Sequence, residues 1–194
     1  NGMIEQATNK STVIINGNFT NNGTIIQNIF CIESNGKFSN NKNITSAEIQ
    51  NNGTIESSAT NINGQIKNNG NLIFNGGTNN KLITGIGLTQ IYINVTNQAN
   101  ITQNKLEILA NKQLTNSTAT ITVNELLTIN SNAKIINDGK LLIKNGTNNG
   151  NISQTKQTST LEITGSFTNT GTIQQKEFIV KGTGNLINNN NIIA

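Results

Sequence analysis

Apolar and polar residues alternate along most of the chain, as in Ala119-Thr120-Ile121-Thr122-Val123 and Leu127-Thr128-Ile129. A period of two sends alternate side chains to one side of an extended segment, so the pattern predicts strands with one buried face. The nearest approach to a helical period is 104–114 (NKLEILANKQL). Its Leu106, Ile108, Leu109 and Leu114 suit a period of two equally well, and strand with turn is expected there.

A nine-residue phrase is laid over this alternation: glycine, an apolar residue two positions on, an asparagine turn, then another apolar residue. The copies are Gly17, Phe19, Asn21-Asn22-Gly23, Ile25; Gly36, Phe38, Asn40-Asn41-Lys42, Ile44; Gly64, Ile66, Asn68-Asn69-Gly70, Leu72; Gly165, Phe167, Asn169-Thr170-Gly171, Ile173; and Gly184, Leu186, Asn188-Asn189-Asn190, Ile192. A weaker copy, Ile49-Gln50-Asn51-Asn52-Gly53-Thr54-Ile55, lacks the leading glycine. The first pair is offset by 19 residues, as is the last pair, which predicts a stacked repeat with one layer per period.

Each phrase reads as strand, corner, strand, with one inward side chain on each arm. Asn and Gly tolerate positive φ, so Gly23, Gly53, Gly70 and Gly171, or the Asn before each, are expected in that conformation. Phe19, Phe38, Ile66, Phe167 and Leu186 are expected at equivalent inward sites, almost fully buried. The fold class that follows is all-β: a single-stranded β-solenoid of about ten coils of roughly 19 residues, a rod roughly 45 to 50 Å long. Asn at one corner of successive coils would hand its amide to the next, and Ile would stack in columns inside. A run of antiparallel hairpins, suggested by ten Asn-Gly dipeptides, is the competing arrangement, but hairpins give no reason for a 19-residue repeat. The whole chain, 1–194, reads as one solenoid domain or segment, less regular near 84–137. That stretch is expected either as coils with different corners or as a lateral insertion that could carry specificity.

Composition agrees with a folded β chain. Asn, Ile, Thr and Gly number 41, 31, 26 and 18, together 116 of 194 residues, and the wealth of β-branched residues argues against disorder. Pro is absent, so every backbone N–H is free to join a ladder. The net charge of +4 rests on scattered Lys with no Arg or His. A nucleic-acid groove needs clustered cations and stacking partners, so nucleic acid is not an expected partner. Cys31, alone in Ile29-Phe30-Cys31-Ile32, reads as a small buried hydrophobe. There is no signal peptide and no apolar run long enough to span a membrane. The chain opens without Met and ends inside a repeat, so a longer parent is expected.

The repeated phrase resembles the repeats of filamentous haemagglutinin and related large exoproteins secreted by two-partner and autotransporter routes in Gram-negative bacteria. The best matches are 165–173 (GSFTNTGTI), 17–25 (GNFTNNGTI) and 184–192 (GNLINNNNI). The resemblance covers about a quarter of the chain directly. It implies a right-handed parallel β-helix at the cell surface, often a shaft bearing adhesive or toxic regions elsewhere in a much longer protein. No secretion-domain motif or membrane-barrel pattern accompanies it.

Reactive chemistry is sparse. Parallel β-helices that cleave polysaccharides need clustered carboxylates, whereas Asp138 and the eight Glu stand one at a time, with Glu33 and Glu56 the most plausible chance pair across coils. Asn75-Gly76-Gly77-Thr78 is the one Gly-Gly and has no Asp after it, which argues against bound calcium, and without His or a Cys pair zinc lacks ligands. Ten glycosylation sequons match the number expected by chance in so Asn-rich a chain. Thr-x-Thr occurs only in isolation, at Thr118-Ala119-Thr120-Ile121-Thr122 and Thr158-Ser159-Thr160, too little for an ice-binding array. No catalytic, cofactor-binding or metal-binding residue can be named, and no cofactor is expected. The reading is a non-enzymatic, extracellular or cell-surface structural and adhesive solenoid whose partners are surface glycans or proteins. The alternative is a homopolymeric surface filament joined by end-to-end β-stacking through 11–15 and 186–193. A polysaccharide-active or ice-binding β-helix comes third.

Overall fold

The computed structural model describes residues 3–5 and 11–194, and every strand in it belongs to one 24-stranded sheet whose printed pairings are all parallel. The chain winds as a β-solenoid of about ten turns, spaced about 19 residues apart. Each turn contributes three strands, and these stack into three faces.

Face 1 runs from Thr12–Ile15 through 29–32, 48–51, 65–68, Ile83–Thr84, 101–103, 120–123, Lys140–Ile143 and Thr160–Ile163 to Glu177–Val180. Face 2 runs from Asn18–Asn21 through Lys37–Asn40, Thr54–Ser57, 71–74, 88–91, 105–108, 126–129, Gly146–Asn148 and Ser166–Asn169 to Asn185–Asn188. Face 3 begins at Met3–Glu5 and 24–27 and ends at Thr172–Gln174 and Ile192–Ile193. At its fourth layer the short 3-10 turn Ala59–Asn61 replaces the start of a strand. The segment 84–137 winds in register with its neighbours, Leu88–Asn97 pairing with Asn71–Asn79 on one side and with Gln113–Asn116 on the other. Residues 104–114 are strand to Ile108, turn, then strand from Gln113.

The core is a set of side-chain columns. On face 2 one column reads Phe19, Phe38, Ile55, Leu72, Thr89, Leu106, Leu127, Gly146, Phe167, Leu186. Gly146 leaves room for the Phe167 ring above it, since a Cβ there would lie 3.1 Å from that ring. Phe38, Ile55, Leu72, Leu106, Leu127 and Phe167 are buried, and each such side chain contributes about 1.5 to 3 kcal/mol of transfer free energy. Phe19 and Leu186, expected to be almost fully buried, are only half-buried. They point inward but stand in the first and last layers of their face, where a neighbour covers one side alone. Ile66 is buried but belongs to a different column, on face 1, between Ile49 and Ile83. The third phrase is therefore turned by one face relative to the first two.

The glycines at the corners also differ from expectation. Gly23, Gly53, Gly70 and Gly171 sit at corners but not at positive φ, which is confined to Asn111, Asn132, Gly76, Gly77, Gly85 and Gly182. Their role is closeness between layers. The residue that opens face 2 follows Gly17, Gly36, Gly53, Gly70, Gly87, Asn104, Glu125, Lys144, Gly165 and Gly184 in successive layers. A Cβ on Gly53 would strike the Gly36 carbonyl oxygen, one on Gly70 that of Gly53, and one on Gly87 that of Gly70. The same carbonyls accept the N–H groups of Thr54, Asn71 and Leu88 at 2.9, 2.7 and 2.9 Å. Only a residue without a side chain lets the ladder close at this spacing.

Candidate functional site

The chemically distinctive groups are asparagines, and the corners sort them into two rows. The residue that closes a face points inward, and the next points to solvent. At the corner between faces 2 and 3, Asn21 Nδ2 donates to Asn40 Oδ1 (2.8 Å) and Asn40 Nδ2 to Ser57 Oγ (3.0 Å). Between faces 1 and 2, Asn51 donates to Asn68 (2.6 Å) and Asn68 to Gln103 (2.7 Å). Between faces 3 and 1, the chain runs Asn79, Asn97, Asn116, Asn137, Gln175, with links of 2.8, 3.1, 2.9 and 2.8 Å. A last run, Asn148 to Asn169 to Asn188, returns to the corner between faces 2 and 3 (2.7 and 2.8 Å).

Every one of these links donates toward the C-terminal coil. The direction is set by the remaining atoms of each amide. The second Nδ2 proton goes to a backbone carbonyl, as from Asn68 to Leu88 O (3.0 Å) and from Asn116 to Ala119 O (2.8 Å). Oδ1 takes a backbone N–H, as from Gly23 to Asn21 (3.0 Å) and from Gly150 to Asn148 (3.1 Å). Where a ladder is absent the same corner is apolar: Ile15 and Ile32 precede Asn51, and Val123, Ile143 and Ile163 follow Gln103. Asn51 Oδ1, above Ile32, is buried with no partner, the cost of starting a ladder on an apolar layer. The exposed row runs the opposite way, Asn41 donating to Asn22 (2.9 Å) and Asn69 to Asn52 (3.1 Å).

The acidic residues are held by amides and cations. Gln90 and Asn130 donate to the two oxygens of Glu107 (2.7 and 3.0 Å), Asn104 to Glu125 (2.7 Å), Lys181 to Glu162 (2.8 Å) and Thr160 to Glu177 (2.9 Å). Glu33 and Glu56 are not brought together: Glu33 lies at the corner after face 1, while Glu56, in the middle of face 2, accepts from Asn75 at 3.0 Å and lies 3.7 Å from Lys37 Nζ. Among the described residues no three His, Cys, Asp or Glu side chains gather as a metal site.

Asp138 is buried and pins the loop 154–159. It accepts the Thr155 N–H (2.5 Å), the Thr155 hydroxyl (2.5 Å) and the Lys156 N–H (2.8 Å). Burial pushes its carboxyl up, but those hydrogen bonds and the Lys156 charge outweigh burial and hold it below its ordinary range. Cys31 is not a core residue. It lies between the inward Phe30 and Ile32, faces outward half-buried, and its thiol meets Gln50 Oε1 at 3.6 Å. Burial, with Glu33 and Glu48 nearby, pushes the thiol up, away from thiolate character.

The most concave surface flanks the 3-10 turn. A cleft of about 450 Å³ is lined by Ser39, Asn41, Glu56, Ser58, Asn61 and Asn75 among others, and a second, of about 310 Å³, shares Asn61 and adds Asn43, Thr45, Asn63 and Asn80. The positive φ of Gly77 lets the next coil pass against Ser58 and Thr60, and Thr78 N–H donates to Thr60 Oγ1 at 2.8 Å. Outward threonines form two short rows, Thr78-Thr96-Thr115 on face 3 and Thr128-Thr147-Thr168 on face 2. Neither the clefts nor the Asp138 staple is signalled by a motif; the threonine rows show only as Thr spaced 18 to 21 residues apart.

Among the described residues no helix is long and apolar enough to cross a membrane. No family model matches the chain, and neither the curated proteins nor the solved structures give a match.

Proposed function

We propose that the chain is a non-catalytic structural and adhesive segment of an extracellular or cell-surface protein, a stiff shaft whose outer amides and hydroxyls meet surface glycans or proteins. The observation that carries this reading is the coupling of layers: parallel backbone ladders on three faces, reinforced at the corners by buried amide chains running coil to coil. Each amide link adds about 0.5 to 1.5 kcal/mol and makes bending one coil costly to its neighbours. Carboxylates already engaged by amides and cations support a non-catalytic role, because a general acid or base needs a free oxygen facing a substrate. The polar clefts around Asn61 supply donors and acceptors of the kind that bind sugar hydroxyls. Antibody raised against 1–194 and applied to intact source cells tests the reading. Labelling that protease shaving removes is expected. Labelling only after permeabilisation would overturn the location, and hydrolysis or elimination of a polysaccharide by the purified chain would overturn the non-catalytic part.

A further inference from the structure

The two outer edges of the stack match each other, layer for layer. Thr12–Ile15 and Asn18–Asn21 pair only with the coil that follows, and Glu177–Val180, Asn185–Asn188 and Ile192–Ile193 only with the coil before. Continuing the columns from the last coil onto the first coil of a second copy sets Phe178 against Val13, Val180 against Ile15, Leu186 against Phe19 and Ile192 against Ile4. The first and third juxtapositions already occur inside the molecule, where Val13 meets Phe30 and Phe167 meets Leu186.

Two further observations are specific to this register. Asn188 ends a ladder at the corner between faces 2 and 3, and Asn21 begins one at the same corner with the same donor direction. Asn188 Nδ2, which now turns back on Asn190 O, would find Asn21 Oδ1 where the ladder requires it. Gly17 stands in the glycine column, yet its φ is not positive and a Cβ there meets nothing within 4 Å. Each interior member of that column from Gly53 to Gly87 is glycine because the preceding coil's carbonyl lies against it. In this register the Gly184 carbonyl of a second copy takes that place against Gly17.

We propose that the last coil receives the first coil of a second copy, head to tail, so that the solenoid continues across the junction. Such a contact is heterologous and does not close on itself, so it propagates as a polar fibre. It goes beyond the shaft reading, which requires no self-association, so a monomer would overturn it and leave that reading standing.

Sedimentation of the 194-residue chain over a concentration series tests it, with a Gly17→Val variant alongside. Species growing by whole copies are expected. Gly17→Val, placed in open space, should leave the thermal unfolding midpoint unchanged and weaken association at least tenfold. A chain that stays monomeric at all concentrations, or a variant that associates as well as the unsubstituted chain, overturns the proposal. Direction is read by cross-linking in a Cys31→Ser background. Thr20 and Ile187 are outward positions of one column of face 2, so Thr20→Cys mixed with Ile187→Cys should form an intermolecular disulfide while Thr20→Cys alone does not. Cross-linking of Thr20→Cys to itself would show a two-fold contact and overturn the head-to-tail register.

Discussion

At the corner leading into face 2, the second to fifth coils carry Gly36, Gly53, Gly70 and Gly87, whereas the next three carry Asn104, Glu125 and Lys144. In the glycine stretch the face 2 column advances by 17 residues per coil, through Phe38, Ile55, Leu72, Thr89 and Leu106. Beyond it the step lengthens to 21 and 19, through Leu127 to Gly146, and single strands, Ile101–Ile108 and Thr120–Ile129, run round the corner with a register shift between Gln103 and Lys105. The first solution is a tight turn that packs backbone on backbone. The second spends extra residues on a bulge that carries its side chains outside. Both leave the interior columns and the amide ladders in place, so the ladder is the constant of the architecture and glycine is one local means of closing it.

If the interiors are equivalent, Ile55→Ala and Leu127→Ala, in one column but on either side of the change, should each cost about 4 kcal/mol in urea unfolding followed by far-UV dichroism. A much milder effect at Leu127 would mean that the bulged coils pack loosely. The corners should then separate the two stretches: Gly70→Val drives a Cβ into a backbone carbonyl that cannot swing away and should cost about 3 kcal/mol, while Asn104→Val should stay within about 0.5 kcal/mol. Equal penalties at both positions would erase the distinction. The ladders should not separate them. Asn68→Ala in the glycine stretch and Asn116→Ala beyond it each orphan buried partners and should cost about 2 kcal/mol, against about 0.5 kcal/mol or less for the exposed neighbour in Asn69→Ala.

The smallest effect depends on pH. Asp138 lies below its ordinary value of 3.8 in the folded chain, so its contribution is present above that value and is lost as pH falls through the folded one. Asp138→Asn should lower the melting midpoint at neutral pH and narrow its difference from the parent under more acid conditions. A difference that stays constant with pH would show that the loop 154–159 is not held by the charge.

Much of this architecture was legible in the chain. The 19-residue offset of Phe19 to Phe38 and of Phe167 to Leu186 is the layer spacing itself, and alternation located the inward positions of 119–129. Ile66 misled because the phrase recurs at more than one corner. Its offset of 28 residues from Phe38 is about a turn and a half, and a motif that serves any corner carries no label for which one. The glycines misled because Asn-Gly has two uses, positive φ or close approach, and only the neighbouring coil decides between them. Cys31 followed the apolar run around it, although its position between Phe30 and Ile32 already assigns it to the outside. The clefts beside Asn61 were illegible because they arise where a 3-10 turn displaces a strand, which depends on residues from three coils at once.

The two asparagine rows will also age differently. A backbone nitrogen attacks the preceding asparagine amide most readily when it belongs to glycine, which leaves that nitrogen uncrowded. Each ladder asparagine is followed by something else: Asn at 22, 41, 52, 69, 80, 149 and 189, and Gln98, Ser117, Asp138 and Thr170 elsewhere. Glycine comes one residue later, after the exposed Asn22, Asn52, Asn69 and Asn149. Spontaneous deamidation therefore falls on the outer row, where a new carboxylate meets water, and spares the inner one, where it would be buried. Over a long life outside the reach of repair, such a rod acquires negative charge on its surface while the bonds between its coils stay as they were made.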